Sequence, residues 1–240
     1  MDEWKSYEKN AALPKRMKYA NLLYTKWTKE ELVTCQLYTI LTGAVDSTDS
    51  VLCVALIQLA KFKEVQTNAY LEARRVIGLD YDNTLSIADI NKLKYIEMVI
   101  KESMRRISPT PVLTRKVGED LNLGNGFMIP KDTSVFIPLH LLHHNPELFP
   151  DPNAFIPERF LPENVEKRHL YAYQPFGGGP RNCIGKKYAM MELKFVLAKL
   201  LYKFEVISSM KNLDDLNLEY TPFTKIRGDF RIGLRQRRDI

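Results

Sequence analysis

The chain has 240 residues, 45% of them apolar and 27% charged, an ordinary globular composition with enough length for a sizeable core and too much apolar content for wholesale disorder. Its three cysteines exclude a disulfide scaffold and any multi-cysteine zinc cluster. A net charge of +6 suits an acidic partner, but no basic stripe interleaved with aromatics supports nucleic-acid binding, and Met1–Asn10 contains no apolar stretch of the signal-peptide kind.

No repeat or low-complexity segment is present. Thr28 followed three residues later by Glu31 reads as a capping box, and it opens a helix from Lys29 to Lys61. At ~1.5 Å per residue that helix is roughly 50 Å long. From Leu32 to Ala60 its only charges are Asp46 and Asp49. The uncharged run Leu32–Val45 falls short of the ~18 apolar residues of a convincing membrane span, so the helix reads as the centre of a large core. An amphipathic helix follows near Glu64–Ile77, ended by Gly78. Ser86 or Asp89 opens a short helix. Another runs from Leu93 to Ile107 with Ile96, Val99, Ile100, Ser103 and Ile107 on one face, stopped by Ser108-Pro109-Thr110-Pro111.

Strand-like pieces come next, at Val112–Val117 and Thr133–Pro138. Leu121–Phe127 reads as a hairpin with Asn125-Gly126 at its turn. His140–His144 forms one helical turn. Prolines at 146, 150, 152, 157 and 162 forbid a long helix or a central strand between Asn145 and Glu163. A last strong helix spans Ile184–Tyr202, and short strands follow at Phe204–Ile207, Leu218–Tyr220 and Phe230–Leu234.

Phe176-Gly177-Gly178-Gly179-Pro180-Arg181-Asn182-Cys183-Ile184-Gly185 carries the most chemistry. A glycine-rich loop delivers one cysteine to the start of a helix. Partial positive charge at the helix N-terminus, backbone N–H groups that glycines let turn toward sulfur, and the nearby Arg181 all favour a thiolate. Such a cysteine serves as nucleophile, redox thiol or axial metal ligand; the alternative is a buried, inert cysteine.

The spacing Phe-x-x-Gly-x-Arg-x-Cys-x-Gly resembles the haem-binding loop of the cytochromes P450. Three further blocks agree, in the family's order. Glu102-Ser103-Met104-Arg105 resembles the Glu-x-x-Arg of its K helix. Pro157-Glu158-Arg159-Phe160 resembles its Pro-Glu-Arg-Phe block. Gly43-Ala44-Val45-Asp46-Ser47-Thr48 resembles the oxygen-activation segment of its I helix. Arg181–Gly185 followed by Ala189–Lys194 is most similar to the arthropod microsomal family-4 type. The resemblance implies a mainly α fold with small β-sheets: the C-terminal portion of the P450 fold from the I to the L helix, with the haem loop and C-terminal strands. Residues 1–240 then read as the C-terminal part of a single P450 domain whose N-terminal half, membrane anchor included, is absent, and such a piece by itself is expected to hold haem weakly.

The resemblance also assigns roles. Cys183 is the axial thiolate of haem b, Arg181 pairs with a haem propionate, Phe176 shields the sulfur, and Ala44 lies near the haem face. Glu102 and Arg105, three apart on a helix, are neighbours; alone they would be a solvated surface pair of little worth. With Arg159 they form a buried structural network that sets where Cys183 sits. Asp46 takes part in a proton relay and Ser47 places a hydroxyl beside oxygen, where the family usually has Thr with its stiffer χ1. Gly43, where some family-4 enzymes carry a glutamate esterified to haem, implies non-covalent haem. Val112, Leu113 and Phe223 match positions that line substrate pockets and suggest an apolar ligand. Cys35 and Cys53, about 27 Å apart on one helix, are packing residues, and His140, His143 and His144 are not a metal cluster.

The function implied is a haem-thiolate monooxygenase that inserts one atom of O2 into an apolar small molecule. NADPH acts only indirectly, through NADPH–P450 reductase, with cytochrome b5 as a further electron donor. The full-length protein would associate with the cytosolic face of the endoplasmic reticulum membrane. Two alternatives stand beside it: a P450 that rearranges its substrate without external O2, and a truncated, non-catalytic fragment.

Overall fold

A run that is apolar on every side forms a helix needing neighbours on every side, and the first helix meets that condition only toward its C-terminal end. The computed structural model describes residues 30–82, 84–208, 216–221, 223–228 and 231–237. Helix α1 (Glu30–Lys61) crosses the boundary between two units, residues 1–45 and 46–240. In the first unit the described residues are the helix itself, and Leu37, Tyr38, Leu41 and Val45 are exposed. In the second unit Val51, Val54, Ala55, Ile57 and Leu59 are buried. Burial along the whole helix, expected from its composition, therefore holds from Ser50 onward. By length and composition α1 could cross a membrane, but Asp46 interrupts it and its second half belongs to a core. The expected cap, Thr28, lies outside the described residues.

In the second unit, α2 (Lys63–Ile77) ends at Gly78, whose φ of +83° is open to glycine at no steric cost. Its buried face presents Gln66, Ala69, Glu72, Ala73 and Ile77. Gln66 ties two elements together: Nε2 donates to Leu59 O at 2.7 Å and Val206 O at 2.9 Å, and its Oε1 accepts from Val206 N at 2.8 Å. Ser86 caps α3 (Ile87–Lys92) in a reciprocal box with Asp89. Helix α4 (Lys94–Arg106) buries Ile96, Val99, Ile100 and Ser103 as its periodicity requires, and also Glu102, Met104 and Arg105.

The strands form antiparallel pairs. β1 (Val112–Lys116) pairs with β4 (Ser134–Pro138), Thr114 facing Phe136. β2 (Leu121–Gly124) and β3 (Phe127–Ile129) form the expected hairpin, with Asn125 at φ 52° and Gly126 at φ 81° in its turn. A short α5 (Leu139–His143) leads into the proline-rich meander, which holds a 3-10 turn at Pro157–Phe160 and the one-turn α6 (Pro162–Val165). Helix α7 (Lys186–Lys203) begins two residues later than its sequence suggests and packs on α2 and α4 through Leu193, Leu197 and Leu201. β5 (Phe204–Ser208) pairs with β8 (Ile232–Gln236), and β6 (Asn217–Thr221) with β7 (Phe223–Arg227). Strand β7 was not expected; Phe230, expected to open the last strand, lies outside the described residues.

One carboxylate starts α4. Lys94, Tyr95 and Ile96 N–H groups each donate to Glu72 at 2.8 Å. These are donors that a helix leaves unsatisfied at its first turn, and a negative charge there opposes the positive end of the dipole. Glu72→Ala should lower unfolding free energy by about 3 kcal/mol, read as a shifted urea midpoint, with Glu72→Gln losing a smaller part.

Candidate functional site

Glu102 and Arg105 lie one turn apart on α4, and both side chains are fully buried. The guanidinium grips the carboxylate with both arms: Nε to Oε2 and Nη2 to Oε1, each 2.8 Å. Its other bonds reach backbone carbonyls, His143 O at the end of α5 at 3.0 Å and, in the meander, Pro152 O at 2.8 Å and Ala154 O at 3.1 Å. Glu102 Oε1 also accepts Ile156 N–H at 3.0 Å. Arg159 Nε stands 3.5 Å from the same oxygen, and Arg159 Nη2 donates to Asp151 O at 2.8 Å. The three residues named from the sequence thus meet around one carboxylate. A coil that prolines keep from helix and sheet has backbone carbonyls left over, and these guanidiniums satisfy them.

From this pair a line of hydrogen bonds leads to Cys183. His143, whose carbonyl Arg105 holds, is itself fully buried. Its Nε2 accepts Gln174 N–H at 3.0 Å, and its Nδ1 faces Ser108 Oγ at 3.4 Å. An accepting Nε2 places the proton of the neutral ring on Nδ1. Gln174 O then accepts Gly177 N–H at 3.0 Å, and Phe176 O accepts Cys183 N–H at 2.8 Å. Tyr173 Oη adds a second tie by donating to Lys101 O at 2.7 Å. Neither His143 nor Tyr173 was identified from the sequence; a histidine among three in five residues carries no signal of which one faces inward.

The loop turns on Gly177 (φ 69°) and Gly179 (φ 73°), which L side chains rarely adopt. Cys183 is exposed, and Ile184 is 87% exposed. The cysteine does not sit in the first turn of α7 as expected. The capping position is Gly185 and the helix begins at Lys186; the Asn182 and Cys183 N–H groups are bonded within the loop, to Gly179 O and Phe176 O. Arg181 is exposed in a 3-10 turn, Gly179–Arg181. Phe176 is half-buried and packs against the main core. Leu113 Cδ1 lies beside Gly177. A cavity of about 520 Å3 reaches the loop at Gly178 and Gly179, with Leu113, Arg115, Ile137 and Tyr171 also in its lining; Cys183, Arg181 and Phe176 do not line it. Val112, next to Leu113, is exposed.

Asp46 and Ser47 are half-buried on α1, and Asp46 Oδ2 lies 3.2 Å from Lys225 Nζ. Ala44 is exposed and belongs to the unit of residues 1–45. Phe223 is half-buried at the start of β7. Among the described residues no group of three His, Cys, Asp or Glu side chains could hold a metal ion, the histidines of α5 included.

Two measurements follow. Arg105→Met leaves Glu102 charged, buried and without its main partner, and should cost about 3–5 kcal/mol of unfolding free energy, read by urea denaturation. Burial, with Arg105 beside it, pushes the His143 pKa from 6.5 down to about 3. The unfolded state therefore binds more protons between those values, so stability is full above pH 6.5 and is lost as pH falls toward about 3. Desolvation lowers His144 to about 4, with the same sign. His143→Gln should flatten the acid limb of a stability–pH curve.

Residues 9–225 match the family model for cytochrome P450. The chain is 30% identical over 213 residues to cytochrome P450 4g1 of Drosophila melanogaster, covering 88% of this chain and 38% of that protein. With cytochrome P450 4V2 of Mus musculus it shares 42% identity over 166 residues, 69% of this chain and 31% of that one. It superposes on the crystal structure of a cytochrome P450, CYP102L1, with a TM-score of 0.80 at 29% identity, covering 87% of this chain and 46% of the other. The cytochrome P450DA heme domain gives 0.79 at 28% identity. The chain spans about a third of the length of these curated relatives. With the Glu-x-x-Arg pair, the meander and the cysteine loop arranged as above, the chain belongs to the cytochrome P450 family and is of its family-4 type.

Proposed function

We propose that this sequence supplies the haem-binding and oxygen-activating residues of a haem-thiolate monooxygenase, an activity of the protein at its full natural length. The observation that carries the reading is the cysteine loop. Cys35 and Cys183 are both exposed, Cys35 against the expectation that it packs, but only Cys183 of the two lies in a glycine-rich loop, on a backbone closed by its own N–H to Phe176 O at 2.8 Å and tied through His143 to a fully buried ion pair. The donor set fits haem. A lone soft sulfur, with no metal-binding group of three side chains among the described residues, suits a metal that brings its own equatorial ligands.

Haem, when bound, supplies the redox-active iron that splits O2 and delivers one atom to the substrate. The chain's residues do the rest. Cys183 would hold the iron as a thiolate, and Phe176 would limit water at the sulfur. Arg181, with Arg115 at the cavity wall, would pair with the two haem carboxylates. Asp46 would take up protons and Ser47 would hand them on through its hydroxyl; Ala44, one methyl larger than glycine, would narrow the oxygen site. This acid–alcohol pair favours oxygen insertion over rearrangement without O2. Leu113, Val112 and Phe223 would meet an apolar substrate. Electrons would come from NADPH through NADPH–P450 reductase, aided by cytochrome b5, at the cytosolic face of the endoplasmic reticulum membrane, the setting implied by the family-4 type.

In the protein at natural length, the reduced carbon monoxide complex should show the red-shifted Soret band of thiolate ligation, and Cys183→Ala should abolish it. A band that survives the substitution overturns the assignment. Gly43 offers no carboxylate for an ester, so acid–organic extraction should release all of the haem.

A further inference from the structure

The ion pair between Lys225 and Asp46 belongs to none of the parts assigned so far. In the β6–β7 ladder, Lys225 lies directly opposite Glu219, and opposite charges facing each other across a ladder ordinarily pair. Here Glu219 is engaged by Arg227, two residues farther along β7. Lys225 Nζ instead lies 3.2 Å from Asp46 Oδ2 on α1.

The hairpin is seated independently of that pair. Thr224, fully buried, donates its N–H to Pro109 O at 2.8 Å and its Oγ1 to Ser108 O at 2.5 Å. Its carbonyl accepts Ser50 Oγ at 2.6 Å, from α1 itself and one turn beyond Asp46. Side chains alternate along a strand, so with Thr224 turned into the anchor, Lys225 and Phe223 share the other face. An ion pair whose side chains are 40% and 38% exposed adds little to stability. Its effect is directional: of the two carboxylates in the middle of α1, Asp46 is held by a cation from a different element, next to Ser47, while Asp49 faces Cys53 of its own helix.

We propose that Lys225 is a positioning residue for Asp46, fixing the direction of its carboxylate so that Asp46 and Ser47 act as one proton path. This rests on the proton-handling role given to Asp46 above. Its action is through Asp46.

The test uses the protein at natural length with a flavoprotein reductase and no added substrate, comparing wild type, K225M and K225R. Thiolate spectrum, haem content, NADPH consumption in H2O and D2O, and amide hydrogen exchange over residues 217–227 are read on the same samples. Because Thr224 anchors the hairpin, exchange over 217–227 and haem content should not change in K225M. NADPH consumption should fall about tenfold with a larger solvent isotope effect, and K225R should restore both. Wild-type rates and isotope effects in K225M, with the hairpin unchanged, overturn the proposal. So does a slow K225M whose hairpin exchange rises, since the role is then structural. A wild-type protein without the thiolate spectrum fails the haem reading first, and this inference falls with it.

Discussion

Everything around the cysteine loop depends on one buried ion pair. Two charges taken out of water cost several kcal/mol each, and Glu102 and Arg105 are both fully buried. That cost is met only if every lone pair and proton finds a partner. Between them they spend their capacity on each other, on His143 at the end of α5 and on three meander residues: Pro152, Ala154 and Ile156. Apart from a 3-10 turn and the one-turn α6 the meander has no regular structure to hold it, so its path is the path that satisfies the pair. The pair is therefore a poor source of net stability and a strong source of specificity: another course for the meander strands a buried charge.

From the meander the constraint passes to the loop through a neutral imidazole. His143 can accept Gln174 N–H only while unprotonated, and burial next to Arg105 keeps it so. A similar logic holds the β6–β7 hairpin. Thr224 satisfies the carbonyls of Ser108 and Pro109, the residues just after α4. The same helix thus fixes the meander from its inner face and the hairpin from its C-terminal end. Polar side chains bonded to backbone carbonyls place these irregular segments, and the apolar core of α2, α4 and α7 keeps the helix itself still.

The helices were legible in the sequence because their signals are local. The helix start at Ser86, one of the two openers expected, and the stop at Gly78 appear where expected, as do the Asn-Gly hairpin turn and the buried face of α4. The Glu102–Arg105–Arg159 association came from the family resemblance; spacing alone gives only the i,i+3 neighbours. What escaped notice was non-local. The role of His143 depends on a contact 31 residues away, and that of Lys225 on an acid far earlier in the chain. The start of α7 lies two residues beyond the sequence expectation, after a turn in which Asn182 and Cys183 bond back to the loop. The exposure of α1 up to Val45 departs from a composition that reads as buried throughout.

The central claim is that this ion-pair network sets the position of Cys183. Haem per polypeptide, measured on the protein at natural length carrying Glu102→Ala, Arg105→Ala or Arg159→Ala, tests it most directly. The account predicts that each variant fails to incorporate haem rather than merely turning over slowly: Glu102→Ala and Arg105→Ala each leave a buried charge stranded, and Arg159→Ala removes the guanidinium that faces Glu102 and holds Asp151 O. A variant with full haem content and only reduced activity would contradict it.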